Sequence, residues 1–327
     1  MVLRMVFERE DLQRVRLATG ADPMWELLLS LCRLQSHTTP RCYQAWYEVA
    51  HQRISSARRG KQSLAMLCEL VPENGDAPDF LTPATPVTDI NAGCELLAST
   101  SIDRIHTDLV EAFGGRPAPS WLQSMVTSGR AGLRDIVGLA RQGHDLLVAP
   151  QWMLVSSIVD ADRIARSRTL ADSGIGALLA NLPGVLHWDG QVLQTRYPEH
   201  RTVYLRGRGL RLIPSYFCWG NPVTWIDPEL PPALVYQAHH GDSPLRPTPS
   251  KALSQLLGDT RADFDCSVYP AHNQPIGRTG SHLPRHGEQT RHRPSRSQPH
   301  HQRPLRRSRA PPADPPRSGP PTRYSPR

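Results

Sequence analysis

The most legible chemistry in this sequence belongs to arginine. Arg291, Arg293, Arg296, Arg303, Arg306, Arg307 and Arg309 lie close together near the end of the chain. Such a cluster neutralises phosphates and releases their counterions, so it binds nucleic acid without sequence preference and weakens as salt rises. The same residues carry no selected role if their stretch is translated out of frame, and both readings stand. His300-His301 and the histidines scattered nearby have no cage spacing, which leaves adventitious metal capture only.

Other chemically capable residues are sparser. Tyr216, Phe217, Trp219 and Trp225 lie near Gly and Pro residues, where they either line an apolar effector pocket or pack as an ordinary sheet core. Gly207 and Gly209 read as turn glycines with positive φ, because G-x-G-x-x-G is missing and no helix comes next. Asp160 and Asp162 make a D-x-D on a predicted helix, with no ligand cluster near them, and are expected to be solvated. His144-Asp145 and His187-Trp188-Asp189 are pairings that chance supplies. The sequence has no H-E-x-x-H, no Walker loop, no G-x-S-x-G and no Cys/His arrangement in a suitable local context. The expectation is a protein that is not an enzyme and needs no cofactor or metal.

Charge and composition divide the chain. Residues 271–327 contain twelve Arg, twelve Pro and six His against Glu288 and Asp314, a net +10, so the +8 of the whole chain leaves −2 for residues 1–270. The basic character is thus a property of the tail, and the body has no general attraction for nucleic acid. Ile276, Leu283, Leu305 and Tyr324 are the tail's only Ile, Leu or aromatic residues. A segment so poor in apolar surface does not offset the entropy of ordering itself, and disorder is expected there. The six cysteines form no C-x-x-C and no zinc spacing, which fits small apolar side chains in a reducing compartment. Arg4, Glu8, Arg9, Glu10 and Asp11 interrupt any apolar run near Met1, and no stretch is long enough to cross a bilayer. A cytoplasmic location and no membrane partner are expected.

The elements that must position these residues read as helices first and strands later. Val2 to Phe7 suits a short strand and Glu8 to Leu12 a helical turn. Asp22-Pro23 pairs a capping side chain with a proline at the first helical position, ahead of a helix to about Gln35. Further helices are predicted over Tyr43 to Arg58, with Trp46, Val49, Ala50 and Ile54 inward, and over Ser63 to Leu70. Gly75 to Pro86 is a loop anchored by Asp79-Phe80-Leu81-Thr82-Pro83. More helices are predicted from Ser101, over Ser120 to Val126, over Gly132 to Gln142 or beyond, and over Gln151 to about Arg168. In the last, Trp152, Val155, Ile158, Val159 and Ala165 mark the buried stripe. After Leu179 the apolar period switches to two, and short Val-, Ile-, Tyr- and Trp-containing runs predict a small antiparallel sheet at about 190–238. The expected class is α+β, with a mainly helical N-terminal half. The expected division is a domain over 1–240, a linker and helix start over 241–261, and a disordered Arg/Pro/His-rich tail over 262–327.

Several of these stretches together resemble a known family. Asp22-Pro23-Met24-Trp25-Glu26-Leu27, Pro78-Asp79-Phe80-Leu81-Thr82-Pro83, Gly207-Arg208-Gly209-Leu210 through Pro214-Ser215-Tyr216-Phe217-Cys218-Trp219, and Pro231-Pro232-Ala233-Leu234-Val235-Tyr236 look like actinobacterial transcriptional regulators. That family joins a long N-terminal domain of uncharacterised function to a C-terminal ArsR-type winged helix-turn-helix, and the likeness covers about residues 3–261. It implies DNA as a partner, a homodimer, and a domain that dimerises or senses an unknown small-molecule effector. It also implies that Leu256-Leu257-Gly258-Asp259-Thr260-Arg261 begins the DNA reader, to be continued by a recognition helix and a β-wing. Those elements are missing from this sequence, so no DNA-contact residue is carried over. The Cys pair of metal-sensing relatives is missing too, and metal sensing is not implied. A slip of the coding frame near Ala262 to Asp265 accounts for the change. Read one base later, the codons for Ile276 to Thr279 can encode Leu-Ala-Ala-Leu.

Overall fold

The computed structural model describes residues 1–36, 40–71 and 77–239. The expectations for the 241–261 linker and the 262–327 tail, including its arginines, lie outside the described residues. The chain begins with β1 (Val2–Val6), α1 (Arg9–Gln13) and β2 (Arg16–Leu17) before entering α2 (Pro23–Gln35). The start of α2 is dictated by its sequence. Asp22 accepts the N–H of Met24 at 3.1 Å and of Trp25 at 3.4 Å, and Pro23 occupies a position where no N–H is needed.

Six helices of the described chain come next: α3 (Gln44–Ser56), α4 (Arg58–Leu70), α5 (Ile90–Ser99), α6 (Ile102–Ala112), α7 (Ser120–Thr127) and α8 (Arg130–Leu147). The long α9 (Trp152–Ala180) is bent at Gly174, whose φ is +79°. Asp79–Leu81 forms a single 3₁₀ turn that buries Phe80 and Leu81, as an apolar anchor must. Two residues depart from the predicted faces. Val49 is exposed, and so is Ala165.

The strands complete an α+β fold, with β3 (Val185–Trp188), β4 (Val192–Arg196), β5 (Arg201–Tyr204), β6 (Arg211–Ser215) and β7 (Ala233–Gln237). The single antiparallel sheet at 190–238 is corrected to two small sheets, ordered β3-β4-β1-β5 and β2-β6-β7. In the first, β1 runs antiparallel to β4 but parallel to β5. The second is parallel throughout. The physical reason is that the N-terminal strands insert: β1 separates β4 from β5, and β2 lies beside β6. Alternation in sequence reports which side chains share a face and carries no information on the partner's direction.

The parallel sheet is a wall between two cores. Ile213, Ala233 and Val235 point into the helical core with Trp25, Trp46 and Leu147. Their neighbours Leu212, Leu234 and Tyr236 point the other way, onto Leu3, Met5, Leu178 and Leu179. Strands buried on both faces read as continuous apolar runs, as Ala233 to Tyr236 does. Pro214 is tolerated inside β6 because its nitrogen faces the side of β2, and β2 ends after pairing Leu17 with Leu212.

Candidate functional site

Carboxylates from the first half of the chain reach across to hold backbone groups of residues 209–239. Asp11, fully buried, accepts the N–H of Gly209 at 2.8 Å. Glu26, also fully buried on α2, takes the Tyr216 N–H at 2.9 Å on Oε1, with the Ser215 hydroxyl at 2.9 Å and the Phe217 N–H at 3.1 Å on Oε2. Asp79 accepts from Ile226 N–H at 2.9 Å and Asp227 N–H at 2.7 Å. Asp162 accepts the Tyr236 hydroxyl at 2.8 Å and the His239 N–H at 3.1 Å. Loops carry backbone donors that no ladder satisfies, and burying them requires such acceptors.

Burial governs how these acids titrate. Desolvation pushes Glu26 up to about 7 against the pull of its hydrogen bonds from Tyr216, Phe217 and Ser215. Asp79 is likewise raised to about 7 by burial, opposed by the Asp227 and Ile226 amides. Asp22 is raised to about 6 by burial, although Arg211 lies 3.2 Å from its second oxygen and draws it down. The same burial lowers the pKa of Arg211, with Asp22 opposing. A second charged group joins the Asp79 turn to α6. Arg104 on α6 lies 3.9 Å from Asp79 through Nη2, 2.7 Å from Asp108 on the same helix through Nε, and 2.6 Å from Asp227 through Nη1.

The predicted aromatic site is partly assembled and wholly filled. Tyr43 packs against Tyr216 at 5.3 Å, Phe217 at 5.9 Å and Trp219 at 5.7 Å between ring centroids, and donates its hydroxyl to the Tyr216 carbonyl at 2.5 Å. Trp225 stands apart on Trp25 at 5.7 Å, with its Nε1 donating to Thr82. Tyr216, Phe217 and Trp225 are 2 %, 0 % and 3 % exposed, and Trp219 is half-buried. These rings fill a core, and the effector-pocket reading of Tyr216, Phe217, Trp219 and Trp225 is corrected accordingly. Side chains from α2, α3 and the 3₁₀ turn at Arg41–Tyr43 occupy the space a ligand would need. Gly207 and Gly209 are turn glycines, with φ +73° and +76°.

The D-x-D expectation is half corrected. Asp160 is exposed and paired with Arg163 at 2.8 Å, whereas Asp162 is buried against Tyr236 and His239 and lies 3.4 Å from Arg166. Compared with protein-family models, curated proteins and solved structures, the chain matches none. Among the described residues no group of three or more His, Cys, Asp or Glu has an arrangement that could hold a metal ion. No helix among them is long and apolar enough to cross a membrane.

Two features had no signal of function in the sequence. His144 on α8 is buried beside Trp152, its ring nitrogens without hydrogen-bond partners among the described residues, and burial lowers its pKa. A neutral ring in that place is a packing element. Helix α9 carries exposed Met153, Leu154, Ile164 and Leu170, and a shallow depression on it is lined by Arg163, Ile164, Ser167, Arg168 and Ala171. The buried carboxylates have the chemistry of a clamp, since their oxygens are occupied by donors of the same chain. The α9 face is the accessible part, with apolar side chains open to solvent.

Proposed function

We propose that the chain is a cytoplasmic transcriptional regulator, ArsR-like, in which residues 1–240 are the regulatory α+β domain. The observation that carries this reading is how the resembling stretches meet. Asp22 and Glu26 bind Arg211, Ser215, Tyr216 and Phe217, while Asp79 and Thr82 bind Ile226, Asp227 and Trp225 beside the strand at Ala233. The stretches that carry the resemblance are therefore each other's structural partners, as the signature of one domain should be. DNA contact would fall to a winged helix beyond Leu256, lost or out of frame in this sequence.

The test has two parts. Nucleotide sequencing of the locus through the codons for Ala262 to Asp265 supports the reading if a shifted frame encodes a winged helix. Retention of the full chain on specific genomic fragments at raised salt supports a surviving DNA reader, and an unbroken frame with no specific retention overturns the proposal. A second reading is favoured by the net +10 of residues 271–327: an interaction module whose basic tail grips nucleic acid non-specifically. It predicts retention at low salt only, lost when Arg291, Arg293, Arg296, Arg303, Arg306, Arg307 and Arg309 are replaced by Gln.

A further inference from the structure

We infer that the outer face of α9 is a self-association surface on which a second copy of this chain docks antiparallel, with Ile164 on the twofold axis. At the helical repeat, Met153, Ser157, Asp160, Ala161, Ile164, Ser167, Arg168 and Ala171 fall on one side of α9, and every one of them is exposed. The opposite side carries Val155, Val159 and Asp162, all buried. Ile164 is 54 % exposed and Met153 85 % exposed, so the face presents apolar side chains to solvent between small neighbours. Small flanking residues let two helix backbones approach closely around the isoleucine.

Charge selects the occupant. A twofold contact is self-complementary: residue i meets residue j, and j meets i. Placing the axis at Ile164 sets Asp160, four positions before it, against Arg168 of the second copy, four positions after it, twice over. Ser157 then meets Ala171, and Ala161 meets Ser167, small residues that leave room for the two isoleucines, while Met153 falls opposite Ile175, just past the bend at Gly174. The Arg163 guanidinium, 2.8 Å from Asp160 and held by the Ala18 carbonyl at 2.7 Å, fixes the aspartate at the rim of this face. The Arg168 side chain is exposed and open to the second copy. A parallel arrangement in register would instead oppose Asp160 to Asp160 and Arg168 to Arg168, which disfavours it.

This inference deepens the regulator reading by supplying its dimer, yet it is measured without DNA, so the two can fail separately. Sedimentation velocity of the full chain over a concentration series is expected to show a monomer–dimer equilibrium. Ile164→Glu should raise the dissociation constant about tenfold or more, because it buries a charge facing its own copy. Asp160→Arg and Arg168→Asp should each weaken the dimer by setting like charges together. The double variant D160R/R168D should restore it, a rescue that damage to folding does not produce. Ile164→Cys should form a covalent dimer on oxidation, whereas Ser157→Cys should not, because only the axial residue meets itself. A monomer at all concentrations, whether the face is bare or covered by another part of the same chain, overturns the proposal. So does a dimer that the double variant fails to restore or that Ile164→Cys fails to cross-link.

Discussion

Glu26 and Phe217 lie 191 positions apart, and the Phe217 N–H donates to Glu26 Oε2 at 3.1 Å in the middle of the protein. The bond ties the first long helix to the turn after β6. With the Tyr216 amide and the Ser215 hydroxyl on the same carboxylate, it satisfies a loop that has no strand partner of its own. Glu26→Ala should therefore destabilise the fold by about 3–5 kcal/mol, the cost of orphaning buried donors and opening a cavity. Urea denaturation followed by tryptophan fluorescence checks it. A loss below about 1 kcal/mol would mean that water reaches these amides freely.

The same carboxylate predicts an unusual pH dependence. Its folded value of about 7 lies above the ordinary 4.5, so between those limits the native chain binds more protons than the unfolded chain. The stability contributed by Glu26 is complete below pH 4.5 and is lost as pH rises through about 7. Asp79, raised from 3.8 to about 7, acts in the same direction. Denaturation midpoints should fall on moving from about pH 5 to about pH 8, and Glu26→Gln should flatten that slope whatever it does to the absolute stability. A midpoint that rises across this interval, or a slope unchanged in Glu26→Gln, would contradict the shift.

How much the sequence made legible depends on the range over which each signal acts. The α2 start is local, since Asp22 and Pro23 shape the next turn, and it stands where the residues place it. Gly207 and Gly209 are equally local. Strand direction is not, because β1 enters its sheet from the far end of the chain and β2 pairs with a strand nearly 200 positions away, Arg16 beside Arg211. Nor are the partners of the buried carboxylates: Asp162 looks like a solvated helix residue until the Tyr236 hydroxyl, 74 positions on, is set against it. Helix α5 was not predicted, and Gly93 inside it has a packing reason, since a Cβ would meet the Met24 side chain at 2.6 Å. For Tyr216, Phe217, Trp219 and Trp225 the sequence left pocket lining and core packing both open, because exposure is not encoded in residue type.

Two neighbouring glycines with the same backbone sign separate strain from space. Gly207 has φ +73° and nothing nearer to an added Cβ than the Arg14 guanidinium at 4.0 Å. Gly209 has φ +76°, and a Cβ there would run into the carbonyl and side chain of Arg14 while its N–H holds Asp11. Gly207→Ala should cost about 1–2 kcal/mol, the left-handed penalty alone. Gly209→Ala should cost roughly 3 kcal/mol or more, because overpacking adds to the same penalty. Thermal melting of both variants tests the order, and equal losses would show that the Arg14 segment yields to the added methyl.

Asp22 and Asp89 cap helices in the same way but in different surroundings. Asp89 accepts the N–H of Asn91 at 2.8 Å and of Ala92 at 3.1 Å on an exposed surface. Asp89→Ala should lose about 1 kcal/mol, the ordinary worth of a cap. Asp22 is 2 % exposed and does two jobs, capping α2 through Oδ1 and pairing with Arg211 through Oδ2 at 3.2 Å. Asp22→Ala therefore removes the cap and leaves a largely buried guanidinium without its counter-ion, a loss of about 3–5 kcal/mol. Asp22→Asn keeps the capping oxygen and discards the charge, so it should fall between the two. Arg211→Met, which leaves Asp22 free to cap, should recover part of what Asp22→Ala loses when the two changes are combined. A double variant no more stable than Asp22→Ala alone would show that Arg211 matters through its bond to the Ala84 carbonyl, at 3.1 Å, rather than through its charge.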